Sequence, residues 1–165
     1  MGVKFGLPPV GRSDARLFIL GSLPGDASLS ARRYYAHSSN QFWRLLGNSI
    51  EVELQPLSYE MRLERLVEHH IGLWDVIASA SRTGSLDQSI RSAEHNQIEH
   101  LLKEFPDLRA IAFNGSTAAS IGRKLIREPP PHLALIDLPS SSAANTKGFE
   151  EKASDWAALG QFVLP

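Results

Sequence analysis

Short apolar runs alternate with amphipathic stretches along this chain of 165 residues. Four runs end in polar or turn residues and predict buried strands at residues 16–20, 71–78, 109–115 and 132–139. Helical spacing of apolar positions follows Ser58, Asn96 and Gly115, with Ser116 as the cap of the third helix, and a last helical pattern closes the chain. The alternation predicts a three-layer α/β/α sandwich around a central, mainly parallel four-stranded sheet.

Four unusual loops follow the predicted strands. They contain the segments GSLPG from Gly21, WDVIASASRTGSLD from Trp74, FNGS from Phe113 and LPSSSAANTKG from Leu138. Ligands of open α/β sheets bind beyond the carboxyl ends of the strands. The convergence of these loops on one edge of the sheet therefore predicts a functional site there.

Composition narrows the class of protein. Hydrophobic residues make up 42% and charged residues 21%, which is typical of a globular chain, and the length predicts one domain over residues 1–165. The net charge of -1 shows no global basic field, although a local basic patch or backbone amides suffice to bind phosphate. No leading or membrane-length apolar segment is present, which favours a cytoplasmic protein.

Several kinds of chemistry are disfavoured by what the sequence lacks. The absence of cysteine excludes disulfides, cysteine nucleophiles, zinc–cysteine sites and iron–sulfur clusters. The histidines show no HxH or HExxH spacing, and no G-x-S-x-G segment occurs. GSLPG fits neither the dinucleotide nor the P-loop fingerprint. We therefore predict no metal and no cofactor.

Each of the unusual loops has an ordinary alternative. GSLPG can bring its backbone close to a ligand or can simply form a tight turn. In YYAHSSNQFW, Phe42 and Trp43 are expected in the core, while Tyr35 precedes the helix as a candidate stacking surface. Asn40 is either a helix cap or a polar group directed into a pocket. The serine-rich loop LPSSSAANT suits phosphate contacts but could be a plain connection.

Taken in order, five segments resemble the motifs of the uracil-DNA glycosylase superfamily. They are LGSLPGDASL, YYAHSSNQFW, GLWDVI with GSLD, FNG and LPSSSAAN, and together they span nearly the whole chain. The second is similar to a His-Pro-x-Asn-x-Phe-Trp pattern and the last to Leu-Pro-Ser-Thr-Ser-Pro-Ala-Asn. The nearest likeness is to the hypoxanthine (deoxyinosine) DNA glycosylase family, which is related to the mismatch-specific uracil/thymine enzymes.

The resemblance implies a monofunctional DNA glycosylase of base excision repair. Such an enzyme flips a deaminated base, here hypoxanthine, out of DNA and hydrolyses its N-glycosidic bond. It implies a monomer acting on double-stranded and also on single-stranded DNA. The implied substrate-binding residues are Gly21, Ser22, Leu23, Pro24, Gly25, Tyr35, His37, Asp75 and Asn114. The implied DNA-binding residues are Pro139, Ser140, Ser141, Ser142 and Asn145.

Departures from the family pattern shape the expected mechanism. Uracil-excising relatives carry an asparagine or aspartate where this chain has Leu23, so the resemblance implies Asn40 as the catalytic residue. Ser38 and Ala143 replace family prolines, which is expected to loosen both loops. Three alternatives stay open: uracil excision on the same fold, a catalytically silent DNA- or nucleotide-binding member, and an unrelated α/β phosphate-binding module.

Overall fold

The computed structural model describes residues 2–165 as two β-sheets with helices packed around them. The strands are β1 (Val3–Phe5), β2 (Leu17–Gly21), β3 (Ile71–Asp75), β4 (Ile77–Ser81), β5 (Arg91–His95), β6 (Ala110–Asn114) and β7 (Ala134–Leu138). The helices are α1 (Asp26–Ala31), α2 (Phe42–Ile50), α3 (Tyr59–Glu68), α4 (Glu99–Glu104), α5 (Ser116–Leu125), α6 (Phe149–Trp156) and α7 (Gly160–Val163). Short 3-10 turns cover Asp87–Ser89 and Ala157–Leu159.

The predicted central sheet is confirmed. Its four strands run parallel in the order β3-β2-β6-β7, and helices cover both faces. Because side chains alternate along a strand, Leu17 and Ile19 pack into one apolar cluster, while Phe18 and Leu20 pack into the other. All four are fully buried. Two buried faces explain why the strand is a continuous apolar run.

The prediction of one strand over residues 71–78 is wrong. β3 ends at Asp75, and after Val76 the chain enters β4, which belongs to a separate three-stranded antiparallel sheet ordered β1-β4-β5. The backbone N–H of Val76 donates to the carbonyl of Gly21 at 2.9 Å, and Asn96 donates from its own N–H to the carbonyl of Val76 at 2.9 Å. These bonds hold the chain where it changes sheets.

The helices begin close to their predicted starts. Ser58 caps α3 by accepting from the N–H of Met61 at 3.3 Å. Gly115, with φ of +100°, is the cap of α5, so the prediction of Ser116 as the cap is off by one residue. α2 begins at Phe42, two residues after Asn40. None of the helices in residues 2–165 has the length and apolar character needed to cross a membrane.

Candidate active site

A cleft of about 1270 Å³ opens at the carboxyl edge of the parallel sheet. All four loops that follow the predicted strands line it, as their convergence predicted. Every residue predicted for the site lies on its walls: Gly21, Ser22, Leu23, Pro24, Gly25, Tyr35, His37, Asn40, Asp75, Asn114, Pro139, Ser140, Ser141, Ser142 and Asn145. The cleft exceeds the roughly 300–1,000 Å³ of a typical small-molecule pocket, so it has room for part of a polymer.

Gly21 allows two side chains to meet at the head of the cleft. A Cβ on Gly21 would lie 2.6 Å from Oδ1 of Asp75 and 3.1 Å from the hydroxyl oxygen of Tyr35. Any larger residue at this position would displace one of them. The bare backbone predicted here as a way to approach a ligand therefore also makes space for Asp75 and Tyr35.

The loop of residues 22–25 is held from behind by the segment that follows β4. The buried guanidinium of Arg82 donates to the carbonyl of Leu23 at 3.3 Å and to the carbonyl of Pro24. Ser22 Oγ donates to Oδ1 of Asp87 at 2.6 Å, and Asp87 lies 3.9 Å from Arg82. Leu23 is itself buried in the core. This wall of the cleft, which we call the first wall (residues 21–25), is therefore fixed before any ligand binds.

Tyr35 lines the cleft and also packs against the core. Its ring stacks on Phe42 with centroids 3.8 Å apart and planes at 9°. Its backbone is left-handed, with φ of +54°. The hydroxyl is buried without a well-formed hydrogen bond to the described residues. Burial raises the pKa of Tyr35, and the nearby side chain of Asn114 opposes part of that increase. Half-buried Tyr35 is thus a rigid aromatic surface backed by a second ring.

Asn40 stands at the start of α2, beside the cleft. Its Oδ1 accepts from the N–H of Phe42 at 3.0 Å in a local side-chain-to-backbone turn. The residue that caps α2 is Gln41, so the alternative of Asn40 as the helix cap is wrong by one residue. The side-chain NH₂ makes no hydrogen bond to the described residues, so both of its N–H groups can donate to a ligand. His37 is exposed nearby, and its Nδ1 lies 2.8 Å from the hydroxyl of Ser39.

Buried side chains fasten the opposite wall, the serine-rich loop (residues 139–145). Asn114 donates to Ser141 Oγ and accepts from the N–H of Ser141, both at 2.9 Å. Lys152 donates to the carbonyl of Ser142 at 3.2 Å, and Trp156 donates to the carbonyl of Pro139 at 3.0 Å. Asn114 is thereby held by two hydrogen bonds to the loop, and Ser141 is only 1% exposed.

The other polar residues of the serine-rich loop use their oxygens to shape the loop. Ser140 Oγ accepts from the N–H of Ser142 at 3.1 Å, and Ser142 Oγ accepts from the N–H of Ala144 at 3.2 Å. Asn145 Oδ1 accepts from the N–H of Lys147 at 3.0 Å. The hydroxyl hydrogens and the Asn145 NH₂ can still donate, which is what a phosphate oxygen requires.

Asp75 is the buried acid of the site. It lies at the end of β3, is 4% exposed, and its Oδ2 has no hydrogen-bond partner among the described residues. Burial raises the pKa of Asp75 from its usual 3.8 to about 7, with a further increase from Asp87 and an opposing effect of Arg82. The side chain is therefore largely protonated just below neutral pH.

Four supporting residues were not predicted: Gln41, Arg82, Asp87 and Lys152. Lys152 donates to Gln41 Oε1 at 3.0 Å, and burial lowers its pKa. A signal for Lys152 exists in the sequence, because it falls on the face of α6 that carries Phe149, Ala153 and Trp156. Arg82 and Asp87 carry no comparable signal. Among the described residues, no group of three or more histidine or acidic side chains could hold a metal ion.

Comparison with known proteins places this architecture among DNA glycosylases. Residues 8–160 match the family model described as Uracil DNA glycosylase superfamily, and the chain belongs to that superfamily. It is by class a hydrolase that acts on N-glycosidic bonds in DNA. This confirms the family resemblance carried by the five segments.

Three relatives are similar over nearly their whole length. A protein of Methanosarcina barkeri named hypoxanthine DNA glycosylase is 40% identical over 93% of this chain and 96% of its own. A protein of the same name from Methanosarcina acetivorans is 40% identical over 95% and 98%. A solution NMR structure from Methanosarcina acetivorans, provisionally described as a uracil DNA glycosylase, superposes with a TM-score of 0.86 at 38% identity, covering 98% and 99% of the two chains.

Proposed function

We propose that this chain is a monofunctional glycosylase that hydrolyses the N-glycosidic bond of hypoxanthine in DNA, at a deoxyinosine flipped into the cleft. The curated relatives that carry this activity in their names are 40% identical over almost the whole chain. The proposed substrate is double-stranded DNA, and single-stranded DNA is a second substrate to test. The enzyme is proposed to act as a monomer.

One observation carries the choice of catalytic residue. Leu23, which stands where uracil-excising relatives have an asparagine or aspartate, is 5% exposed and packed in the core. Asn114 is committed to Ser141, so Asn40 is the amide of the second motif that lies beside the cleft with donors to spare. Asn40 orients the attacking water, with its NH₂ and with the second lone pair of Oδ1.

The remaining roles follow from position. Cleavage of the glycosidic bond builds positive charge on the sugar and negative charge on the leaving base. The free face of the Tyr35 ring stacks on the flipped base, while the first wall (residues 21–25) approaches the deoxyribose. Ser140, Ser142 and Asn145 donate to phosphates beside the lesion. An amide is a poor base, so preorganised polar groups must supply much of the acceleration.

A panel of duplex oligonucleotides tests the proposal. Each carries a single inosine, uracil, xanthine or mismatched thymine, and strand scission is measured with and without alkali. We expect inosine strands to break only after alkali, because hydrolysis leaves an intact abasic site. Release of uracil alone would mean that uracil, the first alternative, is the substrate in place of hypoxanthine. Binding of the lesion DNA without release of any base would instead make this chain a catalytically silent, DNA-binding member of the superfamily.

A further inference from the structure

Asp75 is buried where a carboxylate is hard to accommodate. It lines the cleft at the carboxyl end of β3, its residue is 4% exposed, and Oδ2 has no hydrogen-bond partner within residues 2–165. A buried charged oxygen without a hydrogen-bond donor is strongly unfavourable. A neutral carboxyl avoids most of that cost.

The charged and titratable groups around Asp75 compensate only in part for a negative charge. Asp87 is itself acidic, and Tyr34 and Tyr35 are neutral phenols whose pKa values are raised by burial. Among the described residues, Arg82 is the cation that opposes the increase in the pKa of Asp75. Two of its guanidinium nitrogens donate to the carbonyls of Leu23 and Pro24, Asp87 lies 3.9 Å away, and its buried Nε has no hydrogen-bond partner, on Asp75 or elsewhere in the described structure. The carboxyl of Asp75 therefore faces the cleft without a dedicated counter-ion.

We infer that Asp75 is neutral in the resting enzyme and acts as the general acid that protonates the departing purine. This inference rests on the proposed function and deepens it. A purine base leaves more readily when a ring nitrogen outside the broken bond, such as N7, takes a proton. A carboxyl that titrates close to the working pH is well matched to that transfer.

The step balances without any further reactant. The bond between C1′ and N9 breaks, and its electron pair stays on N9. The proton of Asp75 passes to N7, so hypoxanthine departs as a neutral molecule and Asp75 becomes a carboxylate. Water oriented by Asn40 adds its oxygen to C1′, and the proton that this water loses restores neutral Asp75.

The test is a single-turnover pH profile on inosine-containing duplex, at enzyme concentrations that saturate the DNA, over about pH 5 to 9. The wild-type rate should be level at low pH and fall about tenfold per pH unit once the acid is deprotonated. Asp75→Asn should lower the plateau by about a hundredfold and abolish this fall in rate. The matched control, Asp107→Asn on the exposed turn before β6, should keep the wild-type profile.

Each outcome has a distinct meaning. A wild-type rate that rises through neutral pH would make Asp75 a base and overturn the inference, whether or not the variant folds. Undiminished release by folded Asp75→Asn would also overturn it. Weaker DNA binding with an unchanged pH profile would make Asp75 only a reader of the base and reject the acid role. If the wild type releases no hypoxanthine at any pH, the proposed function itself fails.

Discussion

Two buried cations hold the two walls of the cleft, and their surroundings differ. Arg82, 2% exposed, fixes the first wall by binding two carbonyls, and an acid, Asp87, lies 3.9 Å away. Lys152, 1% exposed, fixes the serine-rich loop through Ser142 and Gln41 and has no acidic partner within 4.0 Å among the described residues. The cation behind the first wall thus has an acidic neighbour, whereas the lysine beneath the serine-rich loop has none within 4.0 Å in the described structure.

We propose that this difference reflects separate tasks of the two walls. A rigid wall next to Asn40 and Asp75 suits the chemistry at the sugar and base. A loop with hydroxyl donors above a buried ammonium suits the phosphates of the DNA backbone, because positive potential in a low-dielectric site attracts them. Substitutions on the first wall should therefore change rate, and substitutions under the serine-rich loop should change DNA affinity.

The largest effect is expected at Asn40. Asn40→Ala should lower single-turnover base release by about two to three decades, the scale of losing one well-placed polar group, with little change in DNA affinity. It should also destabilise the fold by about 1 kcal/mol, because the bond to the N–H of Phe42 is lost.

Asn40→Ser is the matched control, since a serine hydroxyl can also accept from the backbone N–H two residues further on. If this variant recovers the melting temperature but not the rate, the amide acts in catalysis. A variant of Asn40 that melts early yet releases base at the wild-type rate would show that Asn40 has only a structural role.

Asp75 should make stability depend on pH. Its pKa is raised from 3.8 to about 7 in the folded state, so the folded protein holds an extra proton between those values. Unfolding free energy should therefore fall as pH rises from 4 to 7, by about 1.4 kcal/mol per unit and about 3–4 kcal/mol at most. Asp75→Asn should lose this slope and be more stable than the wild type above neutral pH. The same dependence of the unfolding free energy on pH in both proteins over this range would contradict the raised pKa of Asp75.

Exchanging each buried cation for methionine tests whether the two walls have separate tasks. Each variant should lose about 2 kcal/mol of stability, because buried oxygens lose their donor. Arg82→Met should slow base release while leaving affinity for duplex DNA nearly unchanged. Lys152→Met should instead weaken DNA binding and reduce its salt dependence, since one positive charge near the phosphates is gone. The same pattern from both variants would mean that the walls share one task.

The smallest effect is expected at Tyr35. Stacking of a base is worth roughly 1–3 kcal/mol, so Tyr35→Ala should weaken binding of lesion DNA by about one to two decades. Tyr35→Phe should bind like the wild type and be nearly as stable, because the hydroxyl makes no well-formed hydrogen bond in the described structure. Unchanged lesion binding by a stable Tyr35→Ala variant would reject the stacking role.

The central sheet was predictable because burial on both faces leaves an unmistakable apolar run, as in β2. The second sheet was not, since β1 and β5 are largely exposed and β5 reads Arg-Ser-Ala-Glu-His. The carboxyl ends of the four predicted strands gave the correct position of the cleft. The buried residues that hold the walls of the cleft were harder to predict, because arginine and lysine are rarely buried. Nothing in the local pattern marks Arg82 as an exception.

The most direct test of the account is to identify the product. Purified protein is mixed in excess with an inosine-containing duplex, and both the small molecules and the DNA strands are analysed by mass spectrometry. We expect one free hypoxanthine for each intact abasic strand, with release strongly slowed in Asn40→Ala. Tight binding of the duplex with the inosine strand unchanged would contradict it.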